Sequence, residues 1–290
     1  MTALQIEQRR EEPAFRNVAI VAREPSMRGL LRSVAKQLVP DEAARLETAG
    51  VGSSDRAVAQ DIARRAEAVN ADVVVMTVDD ARVAAARVLA RGSAVLAVPP
   101  AWRPGAGAAR IAVGYDGSEP ADAAVEATRA IVTALRGGVS GVELIHVDDS
   151  ASSAGEIDAD VVNSRRTAVI GWWLEQVGRA IPTPVGVIRA VGDPVASLAE
   201  LSHDFDLLVV GTHGRGSIRR IVGPSLTREL IEATQCPVLI VPRSCRCRWK
   251  PAESELVGWS PDDPGVGAED LTRRALPGGC TTLALGIRTE

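Results

Sequence analysis

A glycine-rich segment between an apolar run and a helical pattern carries the clearest chemical signal in the sequence. Residues 207–210 (LLVV) predict a short buried strand, and residues 211–216 (GTHGRG) place three glycines directly after it. Because glycine lacks a Cβ, the backbone N–H groups of such a turn can converge on an anion. The helical pattern at 224–234 adds the free N–H groups and partial positive charge of a helix N-terminus. This arrangement predicts a phosphate site.

The residues that would contact phosphate lie in the loop and in the first turn of the helix. Gly211 and Gly214 would contact it through their backbone N–H groups, and Arg215 offers a guanidinium group suited to polyphosphates. The helix start supplies further amides and two hydroxyl groups. Its candidate residues are Gly223, Ser225, Leu226 and Thr227.

The loop alone leaves two interpretations open, because a tight strand-to-helix turn without a ligand would also use glycine. Pro224 has no N–H and removes one donor, yet proline is favourable at the first helical position. Arg219 and Arg220 fit a phosphate contact and a solvated basic loop equally well. His213 has no base or nucleophile beside it, so we predict no catalytic role for it.

A second chemical group lies earlier in the chain, at Asp116. Residues 110–115 (RIAVGY) predict a strand, so Asp116 follows at the carboxyl end of a parallel sheet. Ligands of open α/β sheets bind at that end. A carboxylate there can accept hydrogen bonds from a ribose or an adenine edge. The alternative is an aspartate that caps the next helix.

Strands alternate with helices through most of the chain, and this alternation predicts an α/β fold with parallel strands. Predicted strands lie at 17–22, 44–51, 72–78, 94–98, 110–115, 142–147, 185–190, 207–210 and 237–241. Helical patterns separate most of them. We therefore predict two Rossmann-like, doubly wound parallel sheets in tandem.

The two halves of the chain can be aligned with each other. Residues 71–78 (ADVVVMTV) match 205–212 (FDLLVVGT), and 93–99 (SAVLAVP) match 236–242 (CPVLIVP), which indicates an internal duplication. At 78–81 the first copy has VDDA where the second has the glycine loop. Two adjacent aspartates would repel phosphate, so we expect the first copy not to bind nucleotide.

The predicted organisation has a lead-in, two domains, a linker and a tail. Residues 1–16 are predicted to be disordered, and 17–100 to form the degenerate first domain. Residues 101–109, rich in Pro, Gly and Ala, form the linker. Residues 110–243 form the second domain, which carries the glycine loop, and 244–290 an irregular tail.

Composition excludes several classes of function. Aromatic residues make up only 3% of the chain, so its core must be built from Ala, Val, Leu and Ile, as suits parallel strands. The formal net charge of −4 argues against a nucleic-acid partner. No apolar run approaches the roughly 20 residues that span a bilayer. Cys245 and Cys247 supply too few ligands for a metal site. We expect a cytoplasmic protein without a membrane segment.

These motifs resemble those of the universal stress protein family. The family's nucleotide loop is similar to Gly211 and Gly214 followed by nine residues, a small-residue position at 224 and Ser225. The CPVLIVP run at 236–242 is similar to its closing strand. VGYDGS at 113–118 is similar to its first-strand motif. The resemblance extends over 108–243, is weak over 17–100 and is absent afterwards. One departure is Pro224, which stands where the family has glycine before the serine.

The resemblance implies ATP, with Mg²⁺ as its accompanying ion, as the ligand of the second domain. It assigns the adenosine contact to Asp116 and the adenine pocket to Val147. Gly114, Ser118 and Val210 complete the predicted set of cofactor-binding residues. Family members pair through the edge strand, here 237–241. That strand would join two copies in a homodimer or meet 94–98 within one chain.

The leading functional hypothesis is a cytoplasmic stress-response protein that binds ATP and uses its occupancy to alter its partners. The first alternative is a scaffold or interaction module whose nucleotide site has been lost. An enzyme of the related ATP-pyrophosphatase type would show an SGGxDS-like run after the first strand, which 115–118 (YDGS) is not. We therefore predict no catalytic residues and at most weak ATP hydrolysis.

Overall fold

The computed structural model describes residues 15, 17–38, 44–47, 54–105, 107–135, 138–148, 170–212 and 224–243. These residues form one nine-stranded sheet with helices on both faces. The predicted α/β fold class is confirmed, and the strands of both halves lie in the same sheet. We call residues 17–100 the first half and residues 110–243 the second half.

The first half contributes four strands and three helices. The strands are β1 (Val18–Val21), β2 (Ala44–Glu47), β3 (Val73–Thr77) and β4 (Ala94–Val98). The helices are α1 (Arg28–Leu38), α2 (Asp55–Ala68) and α3 (Val78–Leu89). Helix α3 follows β3 directly, since Thr77 ends the strand and its side chain caps the helix by accepting from the N–H of Asp80 at 3.2 Å. The helix therefore begins at the residue after the strand, with no loop between them.

The second half contributes five strands and four helices to the described structure. The strands are β5 (Ala109–Gly114), β6 (Val139–Asp148), β7 (Val185–Val191), β8 (Leu207–Gly211) and β9 (Val238–Val241). The helices are α4 (Glu119–Ala134), α5 (residues 170–178), α6 (Pro194–Leu201) and α7 (Pro224–Ala233). All five predicted strands of this half are present.

The strand order is β2-β1-β3-β4-β9-β8-β5-β6-β7. Neighbouring strands are parallel within each half, and β4 and β9 are antiparallel, with Leu96 opposite Leu239. Strand β9 has β8 on its other side, so neither of its edges is free to pair with a second copy. The duplication inferred from the sequence stays a prediction.

Strand residues alternate between two apolar layers. Leu96 and Leu239 face the layer covered by α1, α4 and α5, whereas Val95 and Ile240 face the layer covered by α2, α3, α6 and α7. Because both faces of the central strands are buried, their sequences are continuous apolar runs rather than alternating ones.

The predicted linker lies against this core. The Trp102 side chain packs on both apolar layers, and the backbone N–H of Trp102 donates to the carbonyl of Pro99 at 3.1 Å. The Arg103 guanidinium donates to the carbonyls of Pro100 and Trp102 at 2.8 and 2.7 Å. The connection between the halves is therefore held by specific contacts.

We expect the junction of β4 and β9 to contribute strongly to stability. Leu96→Ala or Leu239→Ala should each lower the free energy of unfolding by about 2–5 kcal/mol, because both side chains are fully buried and truncation leaves a cavity. Val191→Ala, at a side chain 67% exposed on the edge strand β7, is the control and should change it by less than about 0.5 kcal/mol. Urea unfolding followed by circular dichroism measures all three. A cost at Leu96 as small as that at Val191 would contradict this packing.

Candidate functional site

Several of the predicted site residues lie where β5 and β8 end. These two strands are adjacent and parallel, and the helices that follow them lie on opposite faces of the sheet, α4 on one and α7 on the other. Such a reversal opens a crevice at the carboxyl ends of the strands, which is the usual ligand position in open α/β sheets. Asp116 lies just beyond β5, and Gly211 is the last residue of β8.

Asp116 is held in one orientation by the turn that precedes α4. Its Oδ1 accepts hydrogen bonds from the Ser118 N–H at 3.0 Å and from the Ser118 hydroxyl at 2.6 Å. Gly117 has a φ of +77°, a conformation that glycine adopts without strain. Ser118 itself caps α4 by accepting from the Ala121 N–H at 3.2 Å. The helix cap is therefore Ser118, which leaves Asp116 available for another role.

The second carboxylate oxygen of Asp116 has no hydrogen-bond partner in the part of the chain that the structure describes. Oδ2 is buried and accepts no hydrogen bond from any described residue, although the residue is only 7% exposed. Burial raises the pKa of Asp116, and the two bonds from Ser118 oppose that rise. An unsatisfied buried acceptor is unusual and costs free energy, so it marks a position where a donor from a ligand would be favourable. Ribose hydroxyls and the adenine amino group are donors of that kind.

Three of the predicted contact residues form the apolar support beneath this edge. Val147 and Val210 are 3% and 8% exposed and belong to the same apolar layer. A Cβ at Gly114 would lie 3.1 Å from Val210 Cγ1 and 3.6 Å from Leu198 Cδ1. Close packing therefore favours glycine at 114, whereas the sequence indicated only that Gly114 belongs to a binding motif.

Gly211 also has a packing role that the sequence did not reveal. A Cβ at this position would lie 2.3 Å from the carbonyl oxygen of Pro120, in the first turn of α4. Any larger residue would force α4 away from β8. The glycine is therefore explained without a ligand, and a Gly211 variant cannot separate binding from folding.

The remaining predicted residues lie in the loop and in α7. Gly214, Arg215 and Gly223 lie outside the described residues, as do His213, Arg219 and Arg220. Ser225 and Leu226 are in the first turn of α7, which begins at Pro224 as the sequence predicted. Thr227 is partly buried and lines, with Thr212 from the end of β8, a cavity of about 270 Å³ between α3 and α7.

Tyr115 and His146 stabilise the strand end that carries Asp116. The Tyr115 hydroxyl donates to Asp122 Oδ1 at 2.5 Å, and its ring lies 4.8 Å from that of Trp173. His146 Nδ1 lies 3.0 Å from the Tyr115 carbonyl oxygen, and burial lowers the pKa of the imidazole. His146 is thus a buried, hydrogen-bonded histidine. The hydroxyl contact of Tyr115 has no signature in the sequence.

The matching edge of the first half is closed by an ion pair. Arg23, just beyond β1, pairs with Asp80 in the first turn of α3, and the Thr77 hydroxyl donates to the same carboxylate at 3.1 Å. Asp80 is 2% exposed, and no loop separates β3 from α3. These contacts give a physical reason for the prediction that this half does not bind nucleotide.

Metal ligands do not gather in the part of the chain that the structure describes, where no three His, Cys, Asp or Glu side chains could hold one ion. Burial raises the pKa of the Cys236 thiol to about 12, so it stays protonated at neutral pH. The described helices also include none with the length and apolar content of a membrane span.

Two carboxyl groups on α4, the buried Glu126 and the half-buried Asp122, have raised pKa values. Burial, opposed by the hydrogen bond from Tyr115, raises the pKa of Asp122 to about 6. Burial also raises the pKa of Glu126 to about 7, although Arg129, with its Nε 3.2 Å from Glu126 Oε2, favours the charged form. Each group thus favours the folded state fully below its unfolded pKa, and this contribution is lost as the pH rises through the folded pKa.

Glu126→Gln should therefore stabilise the protein at alkaline pH. We expect the free energy of unfolding at pH 8 to rise by about 1–3 kcal/mol, because a charge that burial disfavours is removed, and the gain to shrink towards zero at pH 5. Urea unfolding at both pH values measures this, with Glu229→Gln on the exposed face of α7 as the control. A loss of stability at pH 8 would show that the ion pair with Arg129 outweighs the cost of burial.

Comparison with known proteins bears on the second half above all. The universal stress protein family model matches residues 108–242, and no curated protein matches the sequence. A universal stress protein from Archaeoglobus fulgidus DSM 4304 is 20% identical over 75% of this chain and 76% of that one, with a TM-score of 0.44. UspA from Lactobacillus plantarum is 20% identical over 47% of this chain and 99% of that one, with a TM-score of 0.36.

A further solved structure is a family protein from Arabidopsis thaliana with AMP bound. It is 16% identical over 47% of this chain and 92% of that one, with a TM-score of 0.32. The family model covers the segment in which Asp116, Gly211 and the start of α7 lie together. The resemblance seen in the sequence is thereby confirmed, and residues 108–242 are a domain of the universal stress protein family.

Proposed function

We propose that the second half of the chain binds ATP in the crevice where β5 and β8 end. The observation that carries the proposal is the buried Asp116 Oδ2, which receives no hydrogen bond from the residues that the structure describes. Membership of residues 108–242 in the universal stress protein family supports an adenine nucleotide as the ligand. The donor would come from the adenosine part of the nucleotide.

The chain's own groups suit this ligand. Ser118 fixes Oδ1 of Asp116 by two hydrogen bonds, so Oδ2 is the oxygen left to receive the ligand's donor. A donor on Oδ2 would stabilise the charged carboxylate and counter the effect of burial on its pKa. For the phosphates we propose backbone amides of Gly214 and Gly223, the Arg215 guanidinium, and Ser225 at the start of α7. Mg²⁺ would accompany the triphosphate.

The biological role that we propose is a cytoplasmic stress-response regulator. Nucleotide occupancy would change how the protein contacts its partners. The position of the site supports this proposal, because the crevice adjoins α4, which packs on β8 and β9, and α7, which packs on α3 of the first half. A ligand there would contact α4 and α7, and α7 in turn packs on the first half of the chain.

Asp116→Asn provides the direct test of the nucleotide site. The substitution replaces one carboxylate oxygen by an amide that donates, so ATP affinity should fall by about 10- to 100-fold. The melting temperature without ligand should stay the same or rise, because a buried charge is removed. Titration calorimetry with ATP and Mg²⁺ measures the first effect and thermal unfolding the second.

Asp204→Asn is the matched control, since this carboxylate is exposed in the short turn after α6. It should leave ATP affinity unchanged. Wild-type affinity in the Asp116 variant would contradict the proposed role of its carboxylate.

The alternative is an interaction module that has lost its nucleotide, and one observation favours it. Gly211 is required by its contact with Pro120, so part of the family's glycine pattern persists for packing alone. Gly214→Val distinguishes the two functions. ATP binding in the wild type that this variant abolishes supports the nucleotide site. If the wild type shows no binding heat and no co-purifying nucleotide, the result supports the interaction module.

A further inference from the structure

A cavity lined by arginines lies on the α2, α3 and α7 face of the sheet, apart from Asp116. Its volume is about 270 Å³. Its charged lining consists of Arg56, Arg82, Arg87, Arg228 and Asp55. Three helices that are distant in the sequence thus direct four guanidinium groups and one carboxylate to the same space. None of these residues belongs to the site at the ends of β5 and β8.

Two of the four arginines have carboxylate partners and two have none. Glu232 Oε1 lies 2.9 Å from Arg228 Nε and 3.6 Å from Arg82 Nε. Arg56 and Arg87 make no ion pair or hydrogen bond with any residue that the structure describes. The positive charge of the cavity therefore exceeds the negative charge that its surroundings supply.

Other arginines nearby behave differently. Arg64 on α2 pairs with Asp61 at 2.6 Å, and Arg91, just beyond α3, pairs with Glu67 at 3.1 Å. On a solvated basic face we would expect the other arginines to pair with nearby carboxylates in the same way. The absence of partners is instead confined, on α2 and α3, to arginines that line or adjoin this cavity. Converging like charges repel each other, and a bound anion would relieve that repulsion.

We propose that this cavity binds a small phosphate-bearing anion. The guanidinium fork matches phosphate oxygens in pairs, and arginine keeps its charge at every physiological pH. Arg56 lies in the first turn of α2, so the partial positive charge of that helix start adds to the attraction. A polyphosphate or phosphoester would reach several of the four guanidinium groups at once.

The cavity adjoins the one lined by Thr212 and Thr227, because both are lined by Arg82 and Arg228. An anion held here would therefore touch α7, the helix that follows the proposed nucleotide loop. The two sites nevertheless use different residues, and separate variants can remove each one. The proposal does not require ATP to bind beside Asp116.

The test is calorimetric titration of the full chain with inorganic pyrophosphate at low ionic strength. Arg56→Gln/Arg87→Gln removes the two arginines that have no partner, so it breaks no ion pair of the folded protein. We expect saturable binding near one site per chain, weakened about tenfold or more in this variant. Arg103→Gln/Arg179→Gln changes the net charge equally at two exposed side chains elsewhere and should bind as the wild type does.

Three results would overturn the proposal. The first is no saturable binding to the wild type. The second is equal weakening in both double variants, which would show general charge attraction only. The third is binding lost in Gly214→Val and kept in Arg56→Gln/Arg87→Gln, which would place pyrophosphate in the nucleotide loop.

Discussion

The antiparallel pairing of β4 with β9 determines how the whole molecule is arranged. Each of these strands closes the sheet of its own half, and pairing satisfies backbone groups that would otherwise remain unpaired at two sheet edges. It also continues both apolar layers across the junction, with Leu96 beside Leu239 on one face and Val95 beside Ile240 on the other. As a consequence α3 and α7 lie side by side, and the arginine-lined cavity combines residues from both halves.

The site at the ends of β5 and β8 combines packing and binding requirements in the same few residues. Gly211 is a glycine because the backbone of Pro120 occupies the space of a side chain, and close packing against Val210 favours glycine at 114. Asp116 is different, since Ser118 donates two hydrogen bonds to its Oδ1, whereas Oδ2 receives none from the described residues. A buried acceptor without a donor costs folding free energy, so Asp116 is the better indicator of a ligand. The glycines are weaker indicators than their motif implies.

The alternation of apolar runs with helical patterns was sufficient to predict the α/β fold and all of the strands in the second half. It also placed Asp116 and Gly211 at the same end of the sheet, because parallel strands have their carboxyl ends on the same side. The sequence could not show that Ser118 rather than Asp116 caps α4. Both types serve as caps, and only the turn geometry distinguishes them.

Other features depend on helix faces that meet only in three dimensions. The raised pKa values of Asp122 and Glu126 arise because α4 turns these carboxyl groups towards the core. Arg56 and Arg87 line the same cavity only because α2, α3 and α7 pack side by side in the fold. The spacing of these arginines in the sequence does not indicate that they lie close together in the fold.

The central claim is that a nucleotide supplies the donor that Asp116 Oδ2 lacks, and the ionisation of this carboxyl group reports on it directly. Carbon-detected NMR of aspartate-labelled protein, with Asp116→Asn for assignment, would give the pKa of Asp116 with and without ATP. The account predicts a raised pKa in the free protein and a clear fall when ATP binds, because the new hydrogen bond stabilises the charged form. ATP binding that leaves this pKa unchanged would contradict it.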